Sequence, residues 1–142
     1  MNPDIKNALF RAVETEPFAQ AMNIKLVYLE TGHSIVEMIY HPEKMDNIYQ
    51  KAHGGALYAL IDEAFETAGQ THGTIAVALN VNVTYIAPPE PGTVLRAEAQ
   101  EVSRTRKTSA YSIKVTGPDK ALIATCQALA YRTGKPIPFL TT

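Results

Sequence analysis

Near the middle of the chain, a glycine turn and a carboxylate stand at a spacing that suits acyl transfer. His53-Gly54-Gly55 precedes an apolar run in which Leu57, Leu60, Ile61, Ala64 and Ala68 recur at helical spacing, so the two glycines are expected at a helix N-terminus. Backbone N–H groups without partners collect at such an end. Its partial positive charge suits a carbonyl oxygen that becomes negative during acyl transfer, and glycine has no side chain to block approach. Asp62 follows on the same helix after the uncharged turns Ala56 to Ile61, as the first carboxylate at the margin of an apolar slot. It could attack an acyl carbon to form a mixed anhydride or activate a water as general base; the residues permit both. The plainer reading groups Asp62 with Glu63 and Glu66 as a solvated acidic face.

Nine positions separate His53 from Asp62, roughly 13 Å along one helix at about 1.5 Å per residue. A small acyl group does not span that distance. If both ends serve one reaction, two helices must run past each other in opposite directions, so a two-fold dimer with composite sites is expected.

The wider pattern resembles a known family. Asn47, His53-Gly54-Gly55 and Asp62 together resemble the signature of hotdog-fold acyl-CoA thioesterases of the phenylacetate-degradation (PaaI-type) group. The similarity continues through Val83-Thr84-Tyr85-Ile86-Ala87-Pro88, Gly92, Arg96-Ala97-Glu98-Ala99, and Arg104 to Lys107 before Tyr111-Ser112-Ile113-Lys114-Val115. It runs from about Phe18 to Thr133. The resemblance implies hydrolysis of an aryl or short- to medium-chain acyl-CoA to a carboxylic acid and coenzyme A. No metal or redox cofactor is implied, and coenzyme A enters only as part of the substrate. A homodimer, paired further as a dimer of dimers, is implied as well.

The resemblance also assigns roles. Asp62 is the catalytic carboxylate, the Gly54 N–H is the chief oxyanion donor with Gly55 beside it, and His53 and Asn47 hold the glycine turn and the thioester end. Asn82 stands where many relatives carry threonine or serine, placed to bond the attacking group; its amide is bulkier than a hydroxyl, a departure from the pattern. Arg104 and Lys107 match basic positions suited to the phosphates of coenzyme A, whereas Arg106 only adds to the same patch. The plainer reading of all three is a solvated hairpin. Tyr58, Phe65 and Tyr85 could line an acyl pocket or simply fill core. Hydratases and dehydratases of the same fold typically carry a different histidine motif, with a following Phe-Pro or an Asp-His pair. A non-catalytic acyl-CoA binding module is the other alternative, and Asp62 weighs against it.

These residues need elements to position them. Pro3 to Met22 reads as two short helices, with Ile5, Leu9, Phe10 and Val13 as an apolar stripe. Positions 24–29 and 34–40 read as strands joined at Thr31-Gly32-His33, and Glu43 to Lys51 as polar loop. The central helix is expected to reach about Gln70. Ile75 to Ile86 alternates Asn80, Asn82 and Thr84 with Leu79, Val81, Val83 and Tyr85, giving one apolar and one polar face. Prolines 88, 89 and 91 with Gly92 make a turn, and positions 93–103, 109–116 and 121–132 supply three more strands, the last two joined by Gly117-Pro118-Asp119. The expected class is α+β: a curved antiparallel sheet of about five to six strands wrapped around one long helix, the hotdog fold that the resemblance names.

Composition narrows the rest. With 142 residues and 46% hydrophobic content, positions 1–142 suit a single domain, with 1–22 as its helical N-terminal segment. A formal net charge of -1 provides no field for nucleic acid or an anionic membrane. The chain shows neither an apolar signal core nor a run long enough to span a membrane, so a cytoplasmic location is expected. Cys126 is the only cysteine, which excludes an internal disulfide, fits a reducing compartment and suits core packing. His33, His41 and His72 lack metal-ligand spacing, and no P-loop, Rossmann glycine pattern or serine nucleophile elbow is present.

Overall fold

The computed structural model describes residues 1–140. Two helices open the chain, α1 (Pro3–Thr15) and α2 (Pro17–Met22), each with proline in its first turn, where the missing N–H costs nothing. The Asn2 side chain caps α1 by accepting the Asp4 N–H at 2.8 Å. Glu16, in extended conformation, is the joint between the two helices. Then follow β1 (Lys25–Glu30), β2 (His33–Ile39), α3 (Pro42–Met45), α4 (Gly54–Gly69), β3 (Thr74–Tyr85), β4 (Val94–Arg104), β5 (Thr108–Thr116) and β6 (Leu122–Pro136).

All six strands form one antiparallel sheet in the order β1-β2-β4-β5-β6-β3. The β1–β2 hairpin turns at Gly32, whose φ is +70° and whose added Cβ would lie 2.9 Å from Glu101 Cβ. Both the turn and the close approach require glycine there. The apolar side of α4, with Leu57, Leu60, Ile61, Ala64 and Ala68 all buried, packs on Val36, Met38, Leu95 and Ala97 of the central strands. Each large aliphatic side chain buried in this way contributes about 1.5–3 kcal/mol.

Two expectations are corrected here. The polar stretch after β2 contains α3, begun by Pro42 and anchored by buried Met45. The apolar face expected of β3 is covered only in part within the chain: Val81 and Val83 are half-buried against the core. β3 is an edge strand, α4 lies mainly over β2 and β4, and Val77, Leu79 and Tyr85 remain 46%, 58% and 52% exposed.

Candidate active site

His53 is the N-cap of α4: its Nδ1 accepts the Gly55 N–H at 2.8 Å, and its own N–H donates to the Met45 carbonyl at 2.7 Å. A ring nitrogen that accepts a backbone hydrogen bond is not a free base, so the neutral ring carries its proton on Nε2. The Gly55 N–H is thereby occupied, whereas the Gly54 N–H meets no acceptor among the described residues. The turn therefore presents one free donor, the one expected to be chief.

Tyr85, at the end of β3, closes over this turn. Its hydroxyl donates to the Gly54 carbonyl at 3.0 Å, and a Cβ on Gly54 would lie 3.0 Å from the same oxygen. A Cβ on Gly55 would lie 3.0 Å from His53 Nδ1. Neither glycine adopts left-handed backbone; at both, a side chain would be crowded by its neighbours, not strained in φ.

Asn47 braces the preceding loop. Its Oδ1 accepts the Tyr49 and Lys51 N–H groups at 2.8 and 3.2 Å, and its N–H donates to the Lys51 carbonyl at 2.7 Å. The Tyr40 hydroxyl donates to Asp46 beside it, and burial with that negative neighbour pushes Tyr40 up to about 12. With its oxygen spent on the loop, Asn47 offers a ligand only its Nδ2 donors.

Every residue of α4 is buried except Gly54, Gly55, Tyr58, Asp62 and Glu66, which fall on a single stripe. Asp62 is half-buried, forms no hydrogen bond or ion pair with any described residue, and is held above the ordinary carboxylate range by desolvation. It faces a cleft of about 230 Å³ lined also by Phe65, Glu66, Ala76, Ala78 and Ala130. Desolvation and the negative Glu16 and Asp62 push Glu66 up to about 7. The buried Cys126 thiol is pushed up to about 11, which makes it a poor nucleophile and a core residue as expected.

Three side chains are not where the sequence suggested. Asn82 pairs with Gln127 on the face of the sheet away from α4, and its Nδ2 donates to Asn80 Oδ1 at 2.8 Å. The β3 residue that reaches the Asp62 cleft is Ala78, paired with buried Ala130. A bulge between Ala78 and Asn80 turns the later residues over, so the alternation does not carry through. Glu63, read as solvated, is only 2% exposed beneath the α1–α2 joint. Of the basic patch, Arg106 and Lys107 are exposed, but Arg104 Nη1 donates to His72 Nδ1 at 2.6 Å and its Nε lies 3.9 Å from Glu101. His72 follows the C-terminus of α4, so this hairpin lies at the far end of the helix from the chain's own glycine turn.

The profile of the thioesterase superfamily matches residues 49–124, from the loop before the glycine turn into β6. The chain belongs to the thioesterase superfamily. A putative esterase of Archaeoglobus fulgidus is 32% identical over 119 residues, covering 84% of this chain and 77% of its own. The acyl-coenzyme A thioesterase PaaI of Escherichia coli is 28% identical over 124 residues, covering 87% of this chain and 88% of its own. Its solved structure superposes with a TM-score of 0.89, over 94% of this chain and 96% of that one. A Streptococcus mutans protein bound to acetyl CoA is 29% identical with a TM-score of 0.76, covering 81% of this chain and 92% of its own. This is a PaaI-type hotdog chain, as the motif and strand pattern suggested.

Proposed function

We propose that the chain hydrolyses acyl-CoA thioesters to a carboxylic acid and coenzyme A, in sites that two subunits build together. The carrying observation is that the free Gly54 N–H and the unpartnered, desolvated Asp62 occupy one uncovered stripe of α4. They lie roughly 12 Å apart along it, too far for one thioester. Two helices antiparallel about a two-fold axis bring one subunit's Gly54 to the other's Asp62. The exposed edge strand β3, with Val77 and Leu79 uncovered, suits pairing with a second copy. Two such dimers would make the tetramer that the resemblance implies.

In this arrangement the thioester carbonyl oxygen takes up negative charge against the Gly54 N–H, aided by the helix N-terminus. Asp62 either takes a proton from the attacking water or adds to the carbon itself. In both routes the carboxylate must be ionised, the C–S bond breaks and the thiolate of coenzyme A leaves; in the second, water then hydrolyses the mixed anhydride, releasing the acid and restoring Asp62. Desolvation makes that carboxylate a stronger base than an exposed aspartate. His53 and Asn47 shape the turn and do no proton transfer, and Tyr85 fixes the Gly54 peptide. Asn82 has no part in the step within its own subunit. The step uses carboxylate and amide groups alone, with no metal or redox cofactor. Arg106 and Lys107 are free to meet the phosphates of coenzyme A, with Arg104 shared between them and His72. The uncovered Tyr58 and buried Phe65 flank the acyl group and favour an aryl or medium-length chain. The lone thiol fits a cytoplasmic setting.

Thiol release measured over a panel of aryl, short and long acyl-CoAs tests the reading. Turnover of at least one class, abolished in Asp62→Asn, is expected. Tight binding of acyl-CoA with no thiol release from any of them would make the chain a binding module instead.

A further inference from the structure

Beneath the joint of α1 and α2, away from the glycine turn, three carboxylates converge. Glu16 comes from the joint itself and Glu63 and Glu66 from positions three apart on α4, and one oxygen of each lies within 4.8 Å of the others. None of the ion pairs among the described residues involves any of the three. A second observation singles out the centre of the group. Glu63 is 2% exposed; its carboxyl lies in hydrogen-bond reach of the Glu16 carboxyl, yet its Oε1 has no partner. A buried carboxylate oxygen left without a donor is costly, and two like charges beside it raise the cost. Either protons or a cation must offset that charge.

We propose that Glu16, Glu63 and Glu66 bind one hard divalent cation, best matched in ligand number by Ca²⁺, which fastens the α1–α2 joint onto α4. The donor set is oxygen only, as Ca²⁺ and Mg²⁺ prefer. Mg²⁺ keeps most of its waters and usually takes only one or two carboxylates, whereas Ca²⁺ accepts about six to eight oxygens in flexible geometry, so a set of three carboxylates suits Ca²⁺ better. Solvent reaches the group from one side, since Glu66 is exposed and Glu16 half-exposed on an open cleft of about 470 Å³ that Leu9 and Phe139 also line. Water can complete the coordination and the ion can enter there. The site needs no second subunit and no substrate, and it shares Glu66 with the cleft that Asp62 faces.

The test uses the full chain, stripped with chelator, returned to chelator-free buffer near pH 8 and titrated with Ca²⁺ by calorimetry, with Tm followed in parallel. One ion per chain is expected, saturating at or below about 1 mM, together with a rise in Tm. Glu63→Gln and Glu16→Gln should each weaken binding at least tenfold; Glu16 lies at a half-exposed joint, so its variant keeps the test sound if Glu63→Gln folds poorly. The exposed Glu90→Gln serves as the control and should bind as the parent does. Absence of saturable binding up to about 10 mM, or binding that survives either cluster substitution, would overturn the proposal and leave shared protons as what offsets the charge.

Discussion

Glu63→Gln should stabilise the chelator-treated protein above neutral pH and leave it unimproved in mild acid. Desolvation first, then the negative Glu16 and Glu66, push the Glu63 carboxyl from 4.5 up to about 8 in the folded chain. The unfolded chain loses this proton near 4.5, whereas the folded chain keeps it to about 8. Between these values the unfolded state binds fewer protons, so stability falls as pH rises through that window, and the loss is complete above it. At about 1.4 kcal/mol per pH unit the whole interval is worth up to roughly 5 kcal/mol. Glutamine keeps the volume and removes the charge, but its amide needs partners that the site does not fully provide, at about 1–2 kcal/mol. The net gain at pH 9 should be about 2–4 kcal/mol, or several degrees in Tm. At pH 4.5, where the parent is already neutral, the variant should be equal or slightly worse. Urea melts at both pH values, at one protein concentration so that subunit association is constant, give the comparison. A gain of the same size at pH 4.5 and pH 9 would refute the reasoning, because it could not come from an ionised Glu63.

Asp62→Asn should keep its Tm and acyl-CoA binding while losing at least about a hundredfold in kcat, as stopped and continuous thiol assays would show; near-normal turnover would remove Asp62 from the reaction. In the parent, kcat should fall as acid protonates Asp62, with a midpoint above its ordinary 3.8, and a pH–rate profile that stays flat through the acid range would contradict that role. Asn47→Ala/His53→Ala protein and Asp62→Ala protein, unfolded and refolded together in equal amounts, should form about half mixed dimers and recover roughly a quarter of the sites. Confirmed mixed dimers without recovered activity would place the glycine turn and the aspartate in one chain, or remove one from catalysis. Replacing Arg104 and Lys107 together by alanine should raise KM more than it lowers kcat, by a factor that shrinks as salt rises; an unchanged KM at low salt would return the hairpin to plain solvent.

The local chemistry of the site was legible in the chain itself. A long apolar run after two glycines forms a helix wherever it lies, its N-terminus has free N–H groups, and the first charge after that run must sit at the margin of its buried face. For that reason Gly54, Asp62 and α4 stand where periodicity put them. The strands were legible for the same reason, since side-chain alternation is a property of short segments. Local pattern could not settle what depends on distant parts of the chain. Whether a strand is an edge depends on the order in which strands pair, so the exposed face of β3 became visible only once β6 lay on one side of it and nothing on the other. One bulged residue between Ala78 and Asn80 reverses the parity of the strand and turns Asn82 away from Asp62. The α3 segment is a single helical turn, too short to show a period. Glu63 is covered by Glu16 and the helices on either side of it, far off in sequence, and Arg104 is turned aside by His72, which follows α4 and is likewise distant along the chain. Residue type fixes which groups can do chemistry, but burial and partners are sums over the whole fold, and these decide which carboxylate faces an open cleft, which is buried and which cation is free.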